Sequence, residues 1–149
     1  MEIEKEIKLP KFKNQYQKIL ANITFTSNWI VSKYCLNLKP YKISLQQYNI
    51  LRILRAQYPK PATVNLLIGR MLDKSSNASR LVEKLRLKKL VERAVSADDR
   101  RSVNVAITQK GLDLLIDLDK CEDKCIKELK NLSIKEIEQL NALLDKLRN

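Results

Sequence analysis

Apolar residues in the first third of the chain recur at helical spacing. Between residues 14 and 38 most of them lie three or four positions apart, which predicts one long helix that ends at the following proline. A second helix is predicted to begin at Ser44, because Gln47 stands three residues later and the two form the pattern of a capping box. This helix is expected to end before Tyr58, since a residue that precedes a proline rarely stays helical.

The middle of the chain predicts two shorter helices joined by a polar turn. After Thr63, apolar residues mark a helix of two or three turns that reaches Met71. Residues 73–77 are polar and open a further helix. Its apolar face carries residues spaced three, one and three apart: Ala78, Leu81, Val82 and Leu85. Two helices around a short turn are typical of helix-turn-helix DNA-binding domains.

The periodicity changes from helical to alternating after residue 89. Residues 90–95 are rich in β-forming types, and residues 102–107 alternate strictly, with Val103, Val105 and Ile107 on one face. The polar residues between these two runs end in Arg100 and Arg101. The pattern predicts an antiparallel hairpin with a charged tip.

Two more helices are predicted after the hairpin. Thr108 is expected to cap a helix that runs to about Leu132. Ser133 and Glu136 form a second capping box, which predicts a final helix. Its apolar residues are spaced three, four and three apart and form a seam of the coiled-coil type: Ile137, Leu140, Leu144 and Leu147.

This order of elements defines the fold class that we expect. Helix, short helix, turn, helix and basic-tipped hairpin make a winged helix-turn-helix, so the prediction is an α+β fold that is mostly α. The DNA-binding domain is expected at residues 44–111, between an N-terminal dimerisation region (1–43) and C-terminal dimerisation helices (112–149). The two flanks hold about half of the 149 residues, more than the central domain can cover, so we expect a homodimer.

Charge adds a class of partner to this picture. The chain has 29 basic and 17 acidic residues, a formal net charge of +12. Residues 39–111 alone hold 16 basic and 5 acidic residues, so nearly all of the excess lies in the predicted winged helix. The positive electrostatic potential that this excess creates favours binding to a polyanion such as double-stranded DNA, RNA or an anionic membrane surface. Aromatic residues that would stack on RNA bases are missing from the expected contact surface.

Composition excludes several other functions. The chain has no His and 2 Gly, which removes the commonest general base and argues against glycine-rich phosphate loops. Its 3 Cys form no CxxC pair, so neither a zinc knuckle nor a disulfide framework is predicted. We expect no catalytic residue, metal or cofactor, and therefore no enzyme. The lack of a long apolar run or signal pattern predicts a cytoplasmic protein.

The candidate DNA contacts fall into a recognition helix and a wing. The recognition-helix candidates lie off the apolar face, where small polar groups allow a close approach to base edges: Ser75, Ser76, Asn77, Ser79, Arg80 and Lys84. In the wing, Arg100 and Arg101 suit a narrow minor groove, and Asp99 is expected to orient an arginine. An ordinary helix cap and a solvated turn are the competing interpretations of these two segments.

Five short motifs, taken together, carry a family resemblance. They are QQYNIL at 46–51, SNASRLV at 76–82, LVER at 90–93, DDRR at 98–101 and ITQKG at 107–111. In combination they resemble the MarR family of bacterial transcriptional regulators over about residues 44–115. The resemblance implies a homodimeric repressor or activator on a pseudo-palindromic operator, with Arg101 in the minor groove and Asp99 supporting the wing.

One position departs from the family pattern. Lys89 stands where the family usually has a glycine, just before the Leu-Val strand. A left-handed residue at that helix end would cost a lysine about 1 kcal/mol relative to glycine. We therefore expect a slightly different helix end in an unchanged fold.

The resemblance also implies an effector site, because relatives often hold a small molecule between the dimerisation and DNA-binding regions. Trp29, Tyr34 and Tyr48 are the candidate pocket residues, with core packing as the competing role for each. Some relatives sense oxidants through a cysteine in the first helix, which makes Cys35 a candidate redox residue. Cys121 and Cys125 share a helical face, and burial is the competing role for all three cysteines.

Three functional hypotheses follow. The first is a sequence-specific, double-stranded DNA-binding transcriptional regulator, a repressor whose operator binding a small ligand could release. The second is a winged-helix protein-interaction module without operator binding. It predicts acidic or apolar residues on the outer face of the recognition helix, whereas Arg80 and Lys84 stand there. The third is a cysteine-based redox-sensing regulator.

Overall fold

The predicted α+β class, mostly helical, is confirmed. The computed structural model describes residues 2–9, 11–95, 103–128 and 131–149. Its helices are α1 (Ile3–Glu6), α2 (Gln15–Leu38), α3 (Leu45–Gln57), α4 (Val64–Arg70), α5 (Ala78–Leu87), α6 (Gln109–Glu128) and α7 (Ile134–Leu147), with a 3-10 turn at Lys39–Tyr41. Its strands are β1 (Ala62–Thr63), β2 (Val91–Val95) and β3 (Val103–Ile107).

Side-chain caps explain where four of the helices begin. The predicted capping boxes at Ser44 and Ser133 are both present at the starts of α3 and α7. The Asn14 side chain accepts a hydrogen bond from the backbone N–H of Gln17 at 2.9 Å, which starts α2. Thr63 does the same for α4 through the N–H of Leu66 at 3.2 Å. Each cap satisfies a backbone donor that the first helical turn leaves free.

The strands form one antiparallel sheet in the order β1-β3-β2. β2 and β3 pair from Val91 opposite Ile107 to Val95 opposite Val103, which confirms the predicted hairpin. β1 adds two pairs on the other edge of β3 and was not predicted, because two residues are too few to show an alternating pattern. The hairpin tip, residues 96–102, lies outside the described residues.

The core lies between α3, α5, the sheet and the first half of α6. Its fully buried side chains come from all four of these parts: Ile50, Leu51, Val82, Leu85, Val105 and Leu115. Gly111 lets α6 approach this core closely. A Cβ at Gly111 would collide with the carbonyl oxygen of Leu90 and lie 2.7 Å from Cγ1 of Ile107.

The expectation of a different helix end at Lys89 is wrong. Lys89 has φ 60°, the left-handed conformation that a glycine would adopt. The N–H of Lys89 donates to the carbonyl of Arg86 at 2.8 Å, and the N–H of Leu90 donates to that of Leu85 at 3.1 Å. These are the two hydrogen bonds of a Schellman motif, and Leu85 and Leu90 are both buried. The motif and its apolar contact hold Lys89 in the less favourable conformation.

The predicted end of α6 also needs correction. The described part of the helix reaches Glu128, and residues 131–132 are not helical, so the helix does not extend to Leu132. Leu132 precedes Ser133, whose extended backbone (φ −69°, ψ 160°) starts the capping box of α7. An N-cap residue cannot be helical itself, so the chain must leave α6 before it reaches Ser133.

The outer helices leave large apolar residues exposed. α7 has no buried residue, although its seam contains Ile137, Leu140 and Leu147. α2 likewise exposes Leu20 and Ile30. Such faces are typical of surfaces that another molecule covers.

Candidate nucleic-acid interface

Helix α5 has one face in the core and one open to solvent. Ala78, Val82 and Leu85 are buried against the rest of the domain. On the other side lie the exposed residues that the sequence nominated: Ser79, Arg80 and Lys84. The side-chain oxygen of Asn77 accepts a hydrogen bond from the N–H of Arg80 at 3.0 Å, so Asn77 is the N-cap of this helix. The buried stripe thus fixes a short helix with small polar and basic groups facing outwards.

The turn before α5 is organised by Asp73, a residue that the sequence analysis missed. Its Oδ1 accepts the hydroxyl of Ser75 at 2.6 Å and the N–H of Ser75 at 3.0 Å, and its Oδ2 accepts the hydroxyl of Ser76 at 2.8 Å. The Ser75 hydroxyl is the main cause that holds the pKa of Asp73 below its ordinary value, followed by the Ser76 hydroxyl. Aspartate commonly accepts a hydrogen bond from the backbone N–H two residues later, so the backbone turn was available in the sequence, whereas the two hydroxyl bonds were not.

Helix α3 holds this turn in place. The side-chain oxygen of Asn49 accepts the N–H of Leu72 at 3.0 Å. A hydrogen bond from the Gln46 side chain also contributes to the lowered pKa of Asp73. Gln46 and Asn49 belong to the first of the motifs that carry the family resemblance, and their role in the fold is to position the turn.

An ion-pair network joins α5 to the hairpin. Glu83 accepts a hydrogen bond from Arg86 Nη2 at 2.7 Å and another from Arg93 Nη1 on β2 at 3.2 Å. The bond from Arg86 is the main cause that lowers the pKa of Glu83. Glu83 therefore links two guanidinium groups at the base of the hairpin and offsets one of their two positive charges, whereas Arg80 and Lys84 are exposed on the outer face of α5.

The predicted wing residues Asp99, Arg100 and Arg101 lie outside the described residues. The hairpin is described as far as Val95 on one strand and from Val103 on the other. The roles that the sequence analysis gave to these three residues stay predictions.

A polar cluster connects the long helices to the winged helix. The hydroxyls of Tyr34 and Tyr48 each donate to Glu122 on α6 at 3.3 Å, and Arg52 Nη1 donates to the same carboxylate at 2.7 Å. The two tyrosine rings lie 6.4 Å apart. Burial raises the pKa of Tyr48 to about 12, and the negative charge of Glu122 adds to the effect. A second ion pair, from Arg55 to Asp119, lies further along α3 and α6.

The three candidate pocket residues do not share one site. Tyr34 and Tyr48 belong to the polar cluster, and Tyr48 also packs in the core, as the competing interpretation held. Trp29 is 37% exposed, so core packing is wrong for it. It lies beside Lys33, whose Nζ is 5.6 Å from the ring centroid, and lines a separate groove next to α1. A ligand role for these residues stays a prediction.

Cys35 is an exposed free thiol, and its redox role stays a prediction. The side chains of Cys121 and Cys125 lie outside the description. No group of three His, Cys, Asp or Glu residues in the described part could hold a metal ion. None of the described helices is long and apolar enough to span a bilayer.

No protein-family model matches the chain, and no curated protein does either. The fold and the exposed face of α5 define a winged helix-turn-helix protein, and comparison with solved structures makes the assignment more specific.

Three solved structures illustrate the similarity. A MarR transcription factor from Planctomyces limnophilus is 28% identical, with a TM-score of 0.71 over 91% of this chain and 98% of its own. S. aureus MepR in complex with DNA is 27% identical, with a TM-score of 0.79 over 92% of this chain and 97% of its own. BpsR of Bordetella bronchiseptica, whose DNA binding is regulated by 6-hydroxynicotinic acid, is 19% identical, with a TM-score of 0.76 over 88% and 98%.

The predicted resemblance to the MarR family of transcriptional regulators is thereby confirmed over most of the chain. At 19% identity, BpsR shows the fold alone. The similar proteins are transcription regulators, and one of them is bound to DNA, which supports a DNA-binding regulator rather than an enzyme.

Proposed function

We propose that this protein is a sequence-specific, double-stranded DNA-binding transcriptional regulator that represses by occupying a pseudo-palindromic operator as a homodimer. The observation that carries the proposal is the two-sided character of α5. Its buried stripe anchors it in the domain, while Ser79, Arg80 and Lys84 are exposed on the opposite face. A helix of this kind in a winged helix-turn-helix lies in the major groove with its N-terminal residues at the base edges.

The contacts divide by chemistry. Arg80 can bind a guanine edge with two hydrogen bonds or a phosphate, and Lys84, one turn later, suits a phosphate. Ser75, Ser76, Asn77 and Ser79 form the close-approach surface at the start of the helix. In the wing, we propose that Arg100 and Arg101 enter the minor groove and that Asp99 orients one of them.

The dimer follows from the faces that a single chain leaves open. α7 buries none of its residues, and its seam residues Ile137 and Leu140 are exposed. We propose that residues 1–43 and 112–149 pair with their counterparts in a second chain. Two-fold symmetry would then set two α5 helices about one DNA turn apart, which a palindromic operator requires.

An effector is proposed at the junction of the long helices and the winged helix. Tyr34 and Tyr48 share the carboxylate of Glu122 there, so a small molecule that competes for these hydrogen bonds would loosen α2 and α3 from α6. Regulation of BpsR by 6-hydroxynicotinic acid gives a precedent for a small ring acting on a protein of this fold. We further propose that binding of such a ligand releases the protein from DNA.

The test is selection of genomic duplex fragments at about 150 mM salt, followed by sequencing of what the protein retains. We expect a palindrome with half-sites about one helical turn apart. Arg80→Ala is expected to bind this palindrome at least tenfold more weakly, because it loses a contact to a base edge. The Arg100→Ala/Arg101→Ala double variant is expected to lose at least as much, because it loses the contacts in the minor groove. Lys120→Ala, which removes one charge from an exposed position of α6, is the control for Arg80→Ala, provided that it has the same dimer mass as the wild-type protein.

Each outcome is informative. A palindrome weakened by the α5 and wing substitutions but not by the control supports the proposal. Retention of unrelated fragments, with binding that fades steeply as salt rises, would mean only a generic basic surface. The protein-interaction module would then be the better hypothesis.

A further inference from the structure

We propose that Asp73 fixes Ser75 and Ser76 as hydrogen-bond acceptors and so makes the turn before α5 selective for the exocyclic amino groups of adenine and cytosine. The inference rests on the proposed function, because it concerns how the same surface chooses among DNA sequences. It makes Asp73 a positioning residue and the two serines specificity-determining residues.

The hydroxyls of Ser75 and Ser76 together carry two protons. A serine hydroxyl carries one proton, and an ionised carboxylate can only accept. The Ser75 hydroxyl donates a hydrogen bond to Oδ1 of Asp73 at 2.6 Å, and the Ser76 hydroxyl donates one to Oδ2 at 2.8 Å. Both hydroxyl protons are therefore in use, and what each oxygen has left for a partner is a pair of acceptor lone pairs.

Asp73 is held so that this arrangement persists. The N–H of Ser75 donates to its Oδ1 at 3.0 Å as a third hydrogen bond. The neighbouring backbone N–H of Leu72 is bound by Asn49 on α3 at 3.0 Å, which ties the turn to a core helix. Ser75 is exposed and Ser76 is half-buried, so neither residue is closed off from a partner. The acceptor character is thus built into the folded turn before any DNA binds.

This proton pattern discriminates among the groups that DNA offers. Phosphate oxygens carry no proton, so they cannot satisfy an acceptor, and the carboxylate of Asp73 repels them. In the major groove the donors are the N6 amino group of adenine and the N4 amino group of cytosine, whereas guanine O6 and thymine O4 are acceptors. The turn should therefore favour adenine or cytosine at the bases that it faces. Arg80, a pure donor, complements it by favouring guanine.

The test deletes single amino groups from the operator recovered by the wild-type protein. Each adenine is replaced in turn by purine, and each cytosine by pyrimidin-2-one, and the dissociation constant is measured. We expect a loss of about fivefold to tenfold at one or two positions per half-site, the value of one hydrogen bond. The Ser75→Ala/Ser76→Ala variant should be insensitive to the deletion at those same positions, while still responding at the others.

A second variant separates positioning from simple charge. Asp73→Asn can donate as well as accept, so it should free one hydroxyl to donate and shift the base preference at those positions towards guanine or thymine. Asp113→Asn removes the same charge from α6, where Asp113 binds only Gln109 among the described contacts, and should keep the wild-type preference.

The outcomes distinguish the two proposals. An operator that tolerates every amino deletion, or an Asp73→Asn variant with the wild-type preference, overturns the inference and leaves the proposed function standing. Recovery of no operator by the wild-type protein overturns the proposed function and the inference together.

Discussion

Arg55 on α3 binds Asp119 on α6 with both of its terminal nitrogens, Nη1 to Oδ2 at 2.6 Å and Nη2 to Oδ1 at 3.0 Å. The planar guanidinium matches the two carboxylate oxygens, which a lysine ammonium cannot do. Together with the bond from Arg52 to Glu122, it joins the first helix of the winged helix to the helix that leads out of it.

Arg55→Lys should therefore weaken the fold although it keeps the charge. We expect the free energy of unfolding to fall by about 0.5–1 kcal/mol, since both partners are partly exposed and such pairs contribute little more. Urea denaturation measures the change. Arg148→Lys is the control, because Arg148 pairs with Asp145 at the exposed end of α7 and should have no effect. Equal stability of the two variants would contradict the prediction.

Lys89→Gly should stabilise the protein. Lys89 occupies the left-handed region at φ 60°, where glycine has no steric penalty, so we expect a gain of about 1 kcal/mol in the free energy of unfolding. Lys88→Gly removes the same side chain one residue earlier, at a right-handed position, and should be destabilising. Thermal denaturation of the pair decides the matter, because an effect of lost charge alone would be the same in both variants.

The two glycines of the chain should respond oppositely to alanine. Gly111→Ala places a methyl group against the Leu90 carbonyl and Ile107, and should cost about 1–3 kcal/mol of stability. Gly69→Ala meets no atom within 4 Å and lies in α4, where alanine is favoured by up to about 1 kcal/mol. A stable Gly111→Ala protein would show that α6 can move away from β3 without loss.

The raised pKa of Tyr48 predicts that the folded protein loses stability at high pH. The Tyr48 pKa of about 12 in the folded protein lies above the ordinary value of 10.0, so the protonated phenol is the form that the fold favours. Its contribution is complete below pH 10 and is lost as the pH rises from 10 to 12. Tyrosinate absorbance of wild type minus Tyr48→Phe should show one phenol with a midpoint near 12. A midpoint at the ordinary value of 10.0 would refute the prediction.

Most of the architecture could be read from local patterns. Ser44 with Gln47 and Ser133 with Glu136 are short-range signals, and both mark true helix starts. The apolar stripe of Ala78, Val82 and Leu85 identified the buried face of α5, because helical periodicity reports burial directly. The ends of the helices were harder to predict from the sequence. The backbone conformation of Lys89 depends on the burial of Leu85 and Leu90 and not on the preference of lysine itself.

The candidate site was predictable in outline and not in its internal bonding. The outward position of Arg80 followed from the helical period, but the capture of Ser75 and Ser76 by Asp73 depends on a turn geometry that spacing does not determine. The hydrogen bond from Tyr34 to Glu122 joins residues that are 88 positions apart in the sequence, and no local pattern indicates that folding brings them together.

Helix α3 contacts two elements that have different roles. Asn49 holds the turn that precedes α5, whereas Arg52 and Arg55 hold α6. Arg55 lies six residues after Asn49, about 9 Å along the helix axis, so a tilt of about 5° imposed through α6 would move Asn49 by about 0.8 Å. A shift of that size is enough to break the 3.0 Å hydrogen bond from the N–H of Leu72 to Asn49. A small displacement at Glu122 would therefore reach the turn at Asp73 through a single helix.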